Sequence, residues 1–201
     1  MKKLITMLMI ITILSAGCIK NPFATRTGED PAGTTGTWET PATPEVVLIN
    51  LLYAYTELNI QNFQLCFSDD FVFSASEDSI EAISEGNGYL FTYWTKDVEV
   101  AATENIFSTY TDSSQSLALI LSQSSDYPDS IGDSLAVMYR NYIIRIISTD
   151  SLGTDTTLIE GLASFSASKT LFNWWSIYMW SELPSSGTET SWADFKAGYR
   201  N

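Results

Sequence analysis

Four long apolar or alternating segments follow one another along the second half of the chain, and they constrain the fold more than any other feature. They cover residues 117–121, 135–147, 157–169 and 172–183. Each is rich in β-branched and aromatic residues, which is typical of strands. Short polar connections separate them, at residues 126–133, 150–155 and 169–170, so we expect neighbouring strands to pair antiparallel.

The segment before these strands carries patterns typical of helices. Thr43, Pro44 and Glu45 supply a capping threonine, a proline at the first helical position and an acid in the first turn. Apolar residues then recur at helical spacing, and the pattern predicts that this helix ends at Asn59. A short second helix is predicted over residues 60–67.

A turn, a strand and a third helix are predicted next. Ser68, Asp69 and Asp70 form a polar run typical of a turn, and a strand is predicted from Phe71. The third helix is predicted over residues 95–107. Helices followed by a four-strand meander indicate an α+β domain whose helices pack on one face of the sheet.

The first eighteen residues predict export and lipid attachment. Lys2 and Lys3 precede an apolar run over residues 4–14, and Ser15-Ala16-Gly17 supplies small residues before Cys18. The run is short for a membrane span, which is typical of a secretory signal. The small residues and the cysteine resemble the lipobox of bacterial lipoproteins. The resemblance implies cleavage between Gly17 and Cys18 and a diacylglycerol on the Cys18 thiol.

The sequence therefore divides into a signal peptide (1–17), a lipidated cysteine with a flexible tether (18–42) and one domain (43–201). The tether is rich in threonine, proline and glycine, and beyond Ile19 only Phe23 and Trp38 are large and apolar, so it cannot bury a core. The lipoprotein resemblance implies the bacterial cell envelope. Because Ile19 rather than aspartate follows the cysteine, it implies the outer membrane in a host with two membranes.

The charge of the chain excludes some partners. Without residues 1–17 the chain keeps 8 basic and 24 acidic side chains. Such an excess of negative charge repels nucleic acid and anionic lipid head groups. We therefore expect no nucleic-acid partner, and we expect membrane attachment through the lipid rather than through a basic patch.

The absence of histidine removes several kinds of chemistry. Without it there is no His-based triad, no His-ligated zinc and no histidine general base. If Cys18 carries lipid, Cys66 has no partner, and its place between Leu65 and Phe67 predicts a small buried hydrophobe. We assign no catalytic residue, metal site or cofactor.

Several short motifs in order resemble a known superfamily. They are Ala54-Tyr55, Asp69-Asp70-Phe71, Trp94-Thr95-Lys96, Thr103–Phe107, then Trp175, Ile177, Trp180 and Glu182, and finally Ser191, Trp192, Lys196, Tyr199 and Arg200. Their order and spacing resemble uncharacterised bacterial lipoproteins of the nuclear-transport-factor-2-like superfamily, which includes ketosteroid isomerases and polyketide cyclases. The resemblance implies a cone-like curved antiparallel sheet packed on N-terminal helices.

An apolar cone of this kind is the default place for a small ligand. The residues that we expect near it are Tyr55, Trp94, Tyr139, Tyr142, Glu160, Trp175 and Trp180. The leading interpretation is a membrane-anchored protein that binds a small apolar ligand or another envelope protein without catalysis. An alternative is an isomerase, dehydratase or cyclase that uses a carboxylate and a tyrosine. Another is a scaffold or homodimer whose cone is filled by its own side chains.

Two polar patterns have simpler explanations. If the hairpin turns about residues 152–153, Arg145 lies opposite Glu160 or one place off, and an ion pair on a solvated face accounts for both. The string Ser166-Ala167-Ser168-Lys169 fits the S-x-x-K motif of penicillin-interacting enzymes. Because it ends a predicted strand rather than opening a helix, we treat the match as chance.

Overall fold

A curved, unclosed sheet organises the domain. The computed structural model describes residues 36–75, 81, 83–111, 114–151, 153–183 and 190–200, so the predicted signal peptide, Cys18 and most of the tether lie outside the described residues. The strands are β1 (Phe67–Ser74), β2 (Gln115–Gln123), β3 (Ser130–Ile131), β4 (Leu135–Asp150), β5 (Gly153–Lys169) and β6 (Trp175–Leu183). The sheet order is β1-β6-β5-β4-β2, and the short β3 pairs with β4.

Helices pack against the inner face of this sheet. They are α1 (Pro44–Thr56), α2 (Ile60–Leu65), α3 (Lys96–Thr109) and α4 (Trp192–Ala197), with a 3-10 turn over Gly88–Phe91. Proline opens α1 as the sequence predicts. The predicted end at Asn59 is wrong, because Leu58 adopts a left-handed φ of 50° and Asn59 instead caps α2, accepting a bond from the Asn62 backbone N–H.

The predicted four-strand meander is confirmed, but the sheet is mixed rather than wholly antiparallel. Strands β2, β4, β5 and β6 pair antiparallel, as their short connections require. Strand β1 pairs parallel with β6 at the edge of the sheet. Because parallel neighbours need a long crossover, this pairing joins the two ends of the domain and left no local signal in the sequence.

The predicted turn at Ser68, Asp69 and Asp70 is wrong, because these residues lie inside β1. The register against β6 shifts between Phe67 and Val72, so these residues form an irregularity within the strand, and the Ser68 hydroxyl donates to the Ile177 carbonyl. Both aspartates point to solvent, where Asp69 accepts an ion pair from Lys96 at 3.0 Å. The acidic pair is therefore an exposed irregularity in an edge strand.

An irregularity in β6 decides which of its aromatic residues are buried. The register against β5 shifts so that Ser166 pairs with Met179 and Ala167 with Ile177, which leaves Tyr178 without a partner in the ladder. An extra residue of this kind changes the alternation of side chains. Trp180 therefore lies on the same inner face as Trp175 and Ile177.

The described part of the predicted tether packs along the domain. The Thr37 backbone N–H donates to the Glu57 carboxylate, and the Glu39 N–H donates to the Asn50 side chain. Trp38 packs against the core, and the Pro41 carbonyl accepts from the Trp175 N–H at 2.8 Å. Among the described residues, no helix has the length and apolar character that crossing a bilayer requires.

Candidate functional site

The interior of the curved sheet is filled by aromatic side chains from several elements. Tyr55 of α1, Trp180 of β6 and Trp192 of α4 are fully buried there. The ring centroids of Trp180 and Trp192 are 4.1 Å apart, and the Trp192 indole N–H donates to the Tyr55 hydroxyl at 3.2 Å. Burial raises the pKa of Tyr55 above its ordinary value, so this hydroxyl stays neutral.

A completely buried ion pair joins α3 to α4 in this interior. The Lys196 ammonium lies 3.0 and 3.1 Å from the two carboxylate oxygens of Glu99, and neither side chain is exposed. The Trp94 indole N–H donates to the same carboxylate at 2.7 Å. The carboxylate is thus held by charge and by a second hydrogen bond, which is what a buried charge requires.

Aromatic rings complete the surroundings of Lys196. Its ammonium lies 3.5 Å from the centroid of Phe73 and 3.7 Å from that of Trp180, within cation–π distance. Burial lowers the pKa of Lys196, and the carboxylates of Glu99 and Glu182 oppose that shift. This aromatic and acidic site therefore already holds a cation, the side chain of Lys196.

A second carboxylate holds the first turn of α4. The Tyr142 hydroxyl donates to Glu182 Oε1 at 2.8 Å, and the Ala193 backbone N–H donates to Glu182 Oε2 at 3.0 Å. The Trp192 backbone N–H donates to the Tyr142 hydroxyl at 3.1 Å. A tyrosine and a carboxylate do meet in the interior, but both bind the backbone of α4.

Gly161 makes room for this arrangement. A Cβ atom at this position would overlap the ring and hydroxyl of Tyr142, which lies opposite Gly161 in the β4–β5 ladder. The absence of a side chain lets Tyr142 lie close to β5 while its hydroxyl bonds to Glu182.

The motifs that carry the superfamily resemblance contact one another. Ser191 and Asp194 form a capping box at the start of α4. The Asn105 side chain of α3 donates to the Tyr199 carbonyl at 2.9 Å, and the Arg200 guanidinium donates to the carbonyls of Leu90 and Thr92. Together with the ion pair between Glu99 and Lys196, these hydrogen bonds hold α4 and the residues after it against α3 and the 3-10 turn that precedes α3.

Five of the seven residues predicted near the cone are buried in the core. They are Tyr55, Trp94, Tyr142, Trp175 and Trp180. The other two, Tyr139 and Glu160, are placed on the opposite face of the sheet, because in β4 and β5 the buried residues are the alternate ones. The ring of Tyr139 stacks on that of Tyr127.

The predicted ion pair between Arg145 and Glu160 is not formed. The hairpin turns one position earlier than expected, so Arg145 lies opposite Leu158 and Glu160 opposite Ile143. Both side chains are exposed on the outer face, two positions apart. Ser166 to Lys169 lie in β5, which agrees with reading the S-x-x-K string as chance.

Glu99 and Lys196 are central to the interior, and the sequence patterns predicted neither of them there. The signal was the i to i+4 spacing of Trp192 and Lys196, which places both on one face of a helix. Cys66 behaves as predicted, since it is a free, buried thiol whose pKa burial raises.

Two surface clefts lie away from this interior. The larger, of about 660 Å³, is lined by residues at the tip of the β4–β5 hairpin and the start of β2, among them Asp150 and Asp155. The smaller, of about 330 Å³, lies between α3 and Arg200. In the part of the chain that the structure describes, no group of three or more acidic, cysteine or histidine side chains could hold a metal ion.

Comparison with known proteins gives matches among solved structures alone. No family model matches the chain, and no curated protein matches it. The Kfla4162 protein of Kribbella flavida is 10% identical, with a TM-score of 0.53, over 77% of this chain and 95% of that one.

Two further matches carry fold names. A nuclear-transport-factor-2-like protein of unknown function from Pseudomonas putida KT2440 is 12% identical, with a TM-score of 0.47, over 72% of this chain and 86% of that one. A ketosteroid isomerase-like protein from Erwinia carotovora atroseptica SCRI1043 is 12% identical, with a TM-score of 0.43, over 72% of this chain and 97% of that one.

The fold class predicted from the sequence is confirmed. The domain is α+β, with a curved, unclosed sheet and helices on its inner face, and the Kfla4162 protein shares this fold. At these identities the likeness concerns the fold alone.

Proposed function

We propose that this chain is an envelope lipoprotein, held on a membrane by lipid on Cys18, whose domain acts by contact with another protein and not by catalysis. The observation that supports a non-catalytic role most directly is the filled interior. Trp192 and Lys196 of α4 occupy the space in which a ligand would bind, and both are fully buried.

The chemistry of the interior supports the same conclusion. An acid–base or oxyanion role needs a carboxylate or hydroxyl that can reach a substrate. Here both oxygens of Glu182 and the hydroxyl of Tyr142 bond to neighbouring groups. The same is true of Glu99, whose oxygens bond to Trp94 and Lys196. These groups fix α4 in place, so the domain meets its partner with its outer surface.

The outer face of the sheet is suited to such a contact. Ile120, Leu158 and Met179 are exposed there, and Tyr139 and Ile143 are half-buried. Exposed apolar side chains that share a face with the charged Arg145 and Glu160 suit a contact with another protein. The partner that we propose is a second copy of the chain or another envelope protein.

The anchor predicts a simple result with a matched control. Cys18→Ser removes the thiol that would carry the lipid, so we expect the variant to lose all incorporation of an alkyne-labelled fatty acid and to leave the membrane fraction or remain unprocessed. Cys66→Ser changes the other cysteine, which is buried, and should be labelled like the unchanged protein. A Cys18→Ser protein that still takes up label would contradict the proposed anchor.

The filled interior predicts a ligand-free protein. We expect native mass spectrometry of the intact lipoprotein, released from detergent, to give the mass of the processed chain and its lipid with no further molecule bound. The same spectrum distinguishes a dimer from a monomer, and so a second copy from a different partner. A bound small molecule that survives detergent exchange would overturn the non-catalytic contact role.

A further inference from the structure

The turn between β5 and β6 exposes large apolar side chains that packing does not explain. Leu171 is 100% exposed, Phe172 79% and Trp174 47%. The rings of Phe172 and Trp174 lie together, with centroids 6.2 Å apart. Two further apolar residues, Leu135 and Ile131, are exposed at the same end of the sheet, since Leu135 pairs with Ser168 and Ile131 with Ala136. An exposed group of large apolar side chains is typical of a surface that contacts a partner or a membrane.

Hydrogen bonds fix the shape of this turn. The Thr170 N–H donates to the Trp174 carbonyl at 2.7 Å, and the Asn173 N–H donates to the Thr170 carbonyl at 3.0 Å. The Thr170 hydroxyl oxygen accepts from the N–H groups of Phe172 and Trp174, and Asn173 takes the left-handed φ of 60° that closes the turn. The apolar side chains are thus presented on a defined backbone.

The turn lies in the longest stretch of the predicted domain (43–201) that has no acidic residue. Residues 161–181 contain no acidic side chain and one lysine, whereas the whole chain has 24 acids and 10 bases. Lys169 stands beside the turn, with its ammonium 5.4 Å from the ring centroid of Trp175. On the side of β4, which pairs with β5, the nearest acidic residue is Asp133. It is next to Ser134, whose carbonyl accepts a hydrogen bond from the Lys169 N–H. The turn can therefore approach a surface that repels the remaining chain.

The chain between Cys18 and Gly36 is long enough for the β5–β6 turn to meet the bilayer in which the lipid on Cys18 would lie. Gly36, where the described chain begins, is eighteen positions after Cys18, and a chain of that length spans at most about 60 Å. From Gly36 the chain runs beside α1, from the end of that helix toward its start, and reaches Pro41. The Pro41 carbonyl accepts a hydrogen bond from the Trp175 N–H, next to the β5–β6 turn. Helix α1 is roughly 20 Å long, so lipid on Cys18 can lie in the same bilayer that the turn meets.

A bilayer suits this turn better than a protein partner does. A stable protein interface takes about 800 Å² from each partner, far more than a protruding turn supplies. Leucine, phenylalanine and tryptophan on a narrow tip are the side chains that enter the interfacial zone of a bilayer, where tryptophan is enriched. An added apolar contact beside a lipid anchor also fixes the orientation of the domain, which the lipid alone does not.

We propose that the turn from Thr170 to Trp174 inserts into the interfacial region of the bilayer that carries the lipid anchor, so that the domain is held against the membrane in one orientation. This inference rests on the proposed lipid anchor on Cys18. The outer face of the sheet, which lies beside the turn rather than on its tip, stays available for a protein partner.

The test uses a fluorescent reporter on the turn of the full, lipidated chain. In a Cys66→Ser background, Phe172→Cys and, separately, Leu171→Cys are labelled with an environment-sensitive fluorophore and reconstituted into phosphatidylcholine vesicles. Both sites are highly exposed, so neither label disturbs the fold. Thr156→Cys, exposed near the opposite end of β5, is the matched control.

We expect both turn labels to shift their emission to the blue and to lose intensity when nitroxide lipids are added, while the label at position 156 does neither. Turn labels that stay as solvent-exposed as the control would overturn the inference. So would turn labels shielded from both nitroxide lipid and an aqueous quencher, because a protein would then cover them. Fatty-acid labelling of the same preparations tests the lipid anchor separately. A preparation that takes up no fatty acid would contradict the proposed function, whereas a lipidated preparation whose turn labels stay in water would contradict only the insertion of the turn.

Discussion

Lys196→Met should lower the free energy of unfolding by about 3–5 kcal/mol, because it leaves the Glu99 carboxylate buried without its counter-charge. The ammonium of Lys196 is fully buried against Glu99 and over the rings of Phe73 and Trp180, so no solvent can replace it. Denaturant unfolding, monitored by tryptophan fluorescence at pH 7, measures the loss. The double variant Glu99→Gln, Lys196→Met should recover more than half of it, since it removes both charges together.

Lys96→Met is the matched control for this prediction. Lys96 and Asp69 are also 3.0 Å apart, but Asp69 is fully exposed to solvent. A surface pair of this kind contributes about 0–1 kcal/mol, and the bond that the Lys96 ammonium also donates to the Phe67 carbonyl contributes about 1 kcal/mol, so the control should cost about 2 kcal/mol or less. If Lys196→Met cost as little as Lys96→Met, burial of the pair would not be what holds α4 in the interior.

Trp192→Ala should destabilise the domain by about 3–5 kcal/mol and open the filled interior. Trp192 is fully buried against Tyr55, Tyr142 and Trp180, so its loss leaves an apolar cavity of the size of an indole ring. Apolar cavities of this kind stay dry and accept small aromatic molecules. Added indole should therefore raise the melting temperature of the variant in a concentration-dependent way, and calorimetry or thermal melting with and without indole measures both effects.

Trp174→Ala provides the comparison for this second result. Trp174 is about half exposed at the β5–β6 turn, so we expect its removal to change stability by about 0.5 kcal/mol or less and to create no site for indole. The unchanged protein should not bind indole either. If it did so as strongly as the Trp192→Ala variant, the interior would already be open, and the argument for a non-catalytic domain would fail.

Local patterns predicted much of the fold. Pro44 opens α1, the alternating segments from Leu117 to Leu183 form four strands of an antiparallel meander, and Cys66 is buried. These predictions succeed because helix starts, strand alternation and short connections depend on residues close together in the chain. The turn wrongly predicted at Ser68–Asp70 shows the limit, because these polar residues form an irregularity within β1 rather than a turn, and the same residue types suit both.

The candidate site depended on information that the local patterns do not contain. Whether Glu160 or Glu182 faces the interior follows from the register of two hairpins and from the irregularity at Tyr178, and a shift of one residue reverses the face. Glu160 was predicted near the cone and Glu99 was not, although Glu99 lies on a helix that the spacing of apolar residues predicted. Nothing near Glu99 in the chain signals Lys196, which lies 97 residues away.

By itself the sequence determined the class of the fold, the absence of histidine chemistry and the pattern from which the lipid anchor is inferred, because each is a property of composition or of a short segment. The tertiary structure alone decided that the cone is filled, that Tyr142 and Glu182 bond to α4 and that Lys196 occupies an aromatic and acidic site. It also showed that Leu171, Phe172 and Trp174 stand in solvent. Burial depends on which distant segments of the chain come into contact, and in this domain α4 packs in the interior against residues from α3 and β6.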